Sequence, residues 1–105
     1  MNGGSTNSVS LIAAVWNERP ILPSWIKMLF DKKEGGIEII VVDGGSTDGS
    51  WEWLQKQKKI KIFQSENGRT KQFHHGAQKA IGSILYFVHV DTILPQGFDL
   101  LLKKA

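Results

Sequence analysis

Four short stretches of this chain place acids, amides, an arginine or a histidine directly after apolar runs. Asn17-Glu18 closes the run Ser8–Val15, and Asp43-Gly44-Gly45-Ser46-Thr47-Asp48 closes Ile39-Ile40-Val41-Val42. Glu66-Asn67-Gly68-Arg69 follows Ile60–Gln64, and His89-Val90-Asp91-Thr92 ends the run from Ser83. A carboxylate such as Asp43 at the end of a strand can accept hydrogen bonds from a ligand's N–H or hydroxyl groups. A single aspartate in such a place is ordinarily a turn former or a helix cap. Four polar ends in one series are harder to explain by packing, and they point to a ligand site along one rim of a sheet.

The elements that would carry that rim alternate. Ser8–Val15 reads as a buried strand. Pro20 to about Lys32 repeats apolar residues at a helical period (Ile21, Leu22, Trp25, Ile26, Leu29, Phe30), with its prolines confined to the first turn. Gly35-Gly36 ends that helix and Glu38–Val42 is the second strand. Asp48 is expected to cap a helix from Gly49 or Ser50 to about Lys58. Ile60–Gln64 alternates as a third strand, Thr70 to about Ile81 is a third helix, Ser83–His89 a fourth strand, and Phe98–Lys104 a last helix. Strands and helices in strict alternation predict an α/β fold: a mostly parallel sheet with helices on both faces.

The composition fits one soluble globular domain: 105 residues, 41% hydrophobic and 22% charged. The net charge of +3 comes from eleven lysines and two arginines, Arg19 and Arg69. The lysines fall on predicted helix faces and ends, where they solvate the surface, so no nucleic-acid partner is expected. With no cysteine, disulfides and thiolate metal sites are excluded. No apolar run approaches the roughly 20 residues that span a bilayer, and residues 1–7 lack the regions of a signal peptide and read as a flexible lead. A cytoplasmic place, at most on the membrane surface, is the expectation.

No Gly-x-Gly-x-x-Gly follows the first strand and no Gly-x-x-x-x-Gly-Lys-Ser/Thr occurs, so the dinucleotide and P-loop readings lose their support. Taken together and in order, Val9–Val15 with Asn17-Glu18, Val41–Asp48, Glu66–Arg69 and Phe87–Thr92 resemble the nucleotide-binding half of family 2 glycosyltransferases. The resemblance runs from Ser8 to Ala105 and is nearest to a His-x-Asp-Thr subgroup. It implies a Rossmann-like GT-A half-domain over 8–105, truncated at its C-terminus, and an inverting transfer from a nucleotide diphosphate sugar, UDP- or GDP-linked, to an unknown acceptor. It also implies a divalent cation, Mg²⁺ or Mn²⁺. By the same resemblance Asn17 and Glu18 lie at the nucleoside and Asp43 accepts a hydrogen bond from the base. Gly45 belongs to that loop, Arg69 lies near base or phosphates, and Asp91 is the metal-binding acid of an Asp-x-Asp motif. The general base, and any membrane association, would belong to sequence beyond Ala105.

This chain departs from the family pattern at two positions. His89 stands where the first acid of Asp-x-Asp is usual, and three roles stay open for it: Mn²⁺ binding, a hydrogen bond to phosphate, or packing at the strand end. Gly44 stands where many relatives carry a second acid. His74-His75 sit about 100° apart on a helix and do not form a shared chelate. Trp51 and Trp53 read as helix cover, while Trp16 could pack or stack on a base. Two rivals remain: a nucleotidyltransferase-like enzyme, and an inert nucleotide-binding or assembly module.

Overall fold

The computed structural model describes residues 8–104; the lead expected over 1–7 lies outside them. The chain runs β1 (Val9–Val15), α1 (Leu22–Lys32), β2 (Glu38–Asp43), α2 (Ser50–Gln55), β3 (Lys61–Gln64), α3 (Arg69–Lys79), β4 (Ile84–His89) and α4 (Phe98–Lys104). All three strand pairings are parallel and the sheet order is β3-β2-β1-β4. The expected α/β architecture is therefore the one formed. No helix among the described residues is long and apolar enough to cross a membrane.

Apart from Ser10 in β1 and the terminal Glu38 and Asp43 of β2, the two central strands are apolar because both of their faces are covered. Leu11, Ala13, Val15, Ile39 and Val41 pack with Leu22, Trp25, Ile26 and Leu29 of α1, Leu54 of α2 and Phe98 of α4. On the opposite face Ile12, Ile40 and Val42 meet Phe73 and Ala77 of α3. Gly76 lets α3 lie close on that face: a Cβ there would come within 2.5 Å of Ile12 Cγ2 and 3.1 Å of Val42 Cγ2.

Three boundaries differ from the sequence reading. α2 stops at Gln55, not near Lys58, because Lys56-Gln57-Lys58-Lys59 offers no apolar side chain to bury. Its end is tightened by bonds from Lys56 N to Trp53 O and from Gln57 N to Leu54 O. α3 ends at Lys79; Ala80 is extended and Ile81 N donates to Glu38 Oε1 instead of continuing the helix. Asp48 is not the N-cap of α2. Gly49, at φ 95°, holds that position, and the Asp48 carboxylate accepts from Arg19 N, Ser50 N and Ser50 Oγ.

Strand register decides where chemistry can occur. Val15 lies beside Asp43, Asp43 beside Gln64, and Ala14 beside His89, so the carboxyl ends of all four strands form one rim. Strands β1, β2 and β3 step outward in one direction, while β4 returns to the other side of β1. The gap between the ends of β1 and β4 is the switch point at which open α/β sheets leave room for a ligand.

Candidate functional site

The rim is built from loops stitched to one another. After β1 the chain turns through Asn17, whose φ of 52° is left-handed, a conformation that asparagine tolerates better than most residues. Asn17 N donates to Ser46 Oγ (2.8 Å) and Asn17 Oδ1 accepts from Thr47 N (2.7 Å), which locks the β1 loop to the β2 loop. Glu18 N donates to Ser50 Oγ, and Glu18 Oε1 accepts from Trp16 N. Gly44 N donates to Val15 O at 2.9 Å and completes the seam.

Asp43 organises the second loop from the inside. It is fully buried; Oδ2 accepts from Gly45 N and Ser46 N, both at 2.9 Å, and from Gln64 Nε2 at 3.3 Å, while Oδ1 accepts from Ser46 Oγ at 2.5 Å. Contact with a base, the role implied by resemblance, would require this turn to surrender some of those bonds. Gly45, at φ 90°, is exposed with open space around it, so the loop presents bare backbone to the rim.

Gln72, which the sequence reading passed over, braces the centre. It is 3% exposed, its Nε2 donates to Val15 O and Val42 O (2.9 Å each), and its Oε1 accepts from Gly68 N. One side chain thus joins the ends of β1 and β2 to the start of α3. It also explains Gly44. A Cβ at that position would meet Gln72 Oε1 at 2.9 Å and Asn67 Cα at 3.1 Å, so the glycine makes room for the brace. A polar residue on the inward stripe of α3, at Phe73's neighbouring position, was the available signal.

A cavity of about 220 Å³ opens at the switch point, lined by Ala14, Val15, Trp16, Glu18, Arg69, Gln72 and His89. Trp16 is 48% exposed beside it, an open aromatic face at the end of β1. Arg69 begins α3 and is exposed. The structure therefore brings Glu18, Arg69 and His89 together, whereas Asn17, Asp43 and Gly45 shape the adjoining loops.

Asp91 lies apart from this group. It is exposed in the turn after β4 and lines a different cavity, of about 330 Å³, with Ile21, Ser24, Trp25, Met28, Thr92 and Ile93. Trp25 Nε1 donates to Thr92 O (2.9 Å) and Thr92 N to His89 O, so α1 fixes that turn. Among the described residues nothing donates a hydrogen bond to the Asp91 carboxylate, and no three His, Asp or Glu side chains converge on one point. A lone carboxylate with free lone pairs fits Mg²⁺, which fills most of its positions with water and phosphate oxygen. His89, two residues earlier, lines the other cavity.

Other candidates fall away. His75 stacks edge-on against Phe63, and His74 lines a surface hollow with Phe73, Ala77 and Phe87, so neither reaches the rim cavity. A larger cavity, about 560 Å³, is at the opposite end of the strands among Ile37, Glu38, Lys61, Ile81 and Gly82. Its one acid, Glu38, is committed to Lys61, Ser10 Oγ and Ile81 N.

Burial pushes the Asp48 carboxyl up, but the Ser50 hydroxyl and the N–H groups of Arg19 and Ser50 outweigh it and hold the carboxyl below its ordinary range.

Comparison with known proteins places this geometry. An uncharacterized glycosyltransferase of Nostoc sp. (strain PCC 7120 / SAG 25.82 / UTEX 2576) is 34% identical over 91 residues, covering 81% of this chain and 28% of its own length. A mannosyltransferase from Pyrobaculum calidifontis, PcManGT, solved with GDP-Man and Mn²⁺, superposes with a TM-score of 0.72 at 22% identity, covering 90% of this chain and 30% of that one. Residues 1–349 of S. aureus TarS, solved with UDP, give a TM-score of 0.70 at 21% identity, covering 85% and 29%. The chain spans less than a third of the length of each. Its four-stranded parallel sheet with flanking helices is the Rossmann-like α/β fold of GT-A glycosyltransferases. The profile of Glycosyl transferase family 2 matches residues 10–103, and this chain therefore belongs to that family.

Proposed function

We propose that this chain is the donor-binding part of an inverting family 2 glycosyltransferase of the His-x-Asp-Thr subgroup. It takes a UDP- or GDP-linked sugar at the β1–β4 end of the sheet. The observation that carries the reading is the cavity at the switch point, where the exposed face of Trp16, the Glu18 carboxylate and the Arg69 guanidinium converge. Each matches a part of a nucleoside diphosphate: a flat base for the ring, hydroxyls for the carboxylate, phosphate oxygens for the guanidinium. The ligands of the neighbouring structures, UDP and GDP-Man, are of that class.

In this account Asp43 acts on the donor through the loop it shapes, keeping Gly45 in place, and Asn17 does so by pinning that loop to β1. Asp91 holds the divalent cation, Mg²⁺ or Mn²⁺, which when bound offsets charge growing on the leaving diphosphate. Displacement at the anomeric carbon by an acceptor hydroxyl needs a general base. The base and the acceptor site are proposed to lie in the part of the fold that the relatives have and this chain does not span.

Titration with UDP and GDP in Mn²⁺, followed by intrinsic tryptophan fluorescence and by calorimetry, tests the reading. Saturable binding of one of them, absent for ATP and weakened in Arg69→Ala, is expected, with no sugar transfer by the 105-residue chain alone. Failure of both nucleotides to bind would favour an inert module.

A further inference from the structure

His89 carries the one buried side-chain polar atom, Nε2, that lacks a hydrogen-bond partner among the described residues. The remaining buried polar side chains are all bonded: Ser10, Asp43, Ser50, Gln72 and Asp99 each hold partners within 3.3 Å. A fold that satisfies those groups and leaves one imidazole nitrogen orphaned calls for an explanation at that atom. The His89 ring stands at the end of β4, edge-on to Phe73 (centroids 6.5 Å apart, 88° between planes), and forms a wall of the same cavity as Arg69.

We infer that His89 makes a direct hydrogen bond to a phosphate oxygen of the bound nucleotide, together with Arg69, and is not a ligand of the cation. This rests on the donor-binding reading above. Two observations favour it. Arg69 and His89 both line one small cavity, and a pair of nitrogen donors is the chemistry that holds an oxyanion. The acid that shares the cavity, Glu18, already accepts from Trp16 N and is bent back on its own loop. The position that family members fill with a metal-side acid would thus be a nitrogen donor to the nucleotide here.

The experiment measures dissociation constants of UDP and GDP, and of uridine and guanosine, for the unaltered chain, His89→Ala and His89→Gln, each in Mn²⁺ and in EDTA. Thermal melts confirm that each variant folds, and His89→Gln keeps an N–H donor where alanine has none. The expected result is an about tenfold loss of nucleoside diphosphate affinity in His89→Ala, the size of one charge-assisted hydrogen bond. That loss should be equal in Mn²⁺ and EDTA, absent for the nucleosides, and largely restored in His89→Gln. A loss seen only in Mn²⁺ would make His89 a cation ligand and overturn the inference. An equal loss for nucleosides would move the contact to base or ribose and overturn it too. If the unaltered chain binds nucleotide and His89→Ala binds as well, the His89 role fails while the donor-binding reading stands. If the unaltered chain binds no nucleotide, both fail.

Discussion

Replacing Gln72 with methionine should be strongly destabilising. The side chain keeps its length, so little cavity is left, but three hydrogen bonds disappear: two from Nε2 to Val15 O and Val42 O, and one from Gly68 N to Oε1. At roughly 0.5–1.5 kcal/mol each, with the Gly68 N–H left buried, the loss is about 2–4 kcal/mol. Val15 O retains Gly44 N, which keeps the value from rising further. For a domain of this size about 1 kcal/mol moves the melting temperature by about 4–8 °C, so Tm should fall by about 8–30 °C. Far-UV circular dichroism melts and guanidinium titrations measure it directly. A companion change isolates the contact. Gly44→Ala forces a methyl to within 2.9 Å of Gln72 Oε1, and the two changes should be non-additive, with a coupling energy of at least about 1 kcal/mol. A Tm drop of under about 3 °C for Gln72→Met, or strict additivity with Gly44→Ala, would refute the assignment of Gln72 as the brace of the rim.

Gly76→Ala should destabilise by about 1–3 kcal/mol, read by the same melts, because the new methyl overpacks Ile12 and Val42 beneath α3. Asp91→Asn should leave the melt within about 0.5 kcal/mol, since no described group bonds that carboxylate, while removing any Mn²⁺ dependence of nucleotide binding. Stability should also fall in acid. Burial pushes up the carboxyls of Glu38 and Asp99, but Lys61, Ser10 and Ile81 N around the first, and the N–H groups of Glu34 and Gly35 at the second, hold both below their ordinary values. A depressed folded value contributes stability that is complete above the ordinary values, 4.5 for Glu38 and 3.8 for Asp99, and is lost as pH falls below them. Denaturant midpoints measured from pH 7 down to pH 2 should therefore hold steady and then drop, with a smaller drop in Asp99→Asn.

The fold was legible because its signals are local and repeated. Continuous apolar runs such as Val9–Val15 and Ile39–Val42 belong to strands buried on both faces, and the helical period from Leu22 to Leu29 fixes the face of α1. Boundaries were misjudged where a tertiary contact outbid local preference, as when Glu38 draws Ile81 N out of α3. The site was legible as a set of strand ends but not in its division of labour. Asp43 reads on paper as an acid offered to a ligand; in the fold it is buried beside Val15 and Gln64, where its oxygens serve backbone N–H groups. The place of Gln72 on α3 hinted at burial, but its partners could not be found from spacing, because Val15 and Val42 are 57 and 30 residues away. The strand ends at His89, and the following turn carries Asp91 to a cavity beside α1, a placement that spacing alone does not show.

Amide chemical-shift mapping with UDP and GDP is the most direct measurement of whether the β1–β4 end of the sheet is a nucleotide site. In a ¹⁵N-labelled sample the account predicts saturable shifts at Trp16, Glu18, Arg69 and His89 and at the Gln72 side-chain amide, the groups around the 220 Å³ cavity. Ile37, Lys61, Ile81 and Gly82, at the opposite end of the strands around the larger cavity, should stay unmoved. Shifts confined to that opposite end, or no shifts with either nucleotide at saturating concentration, would contradict it.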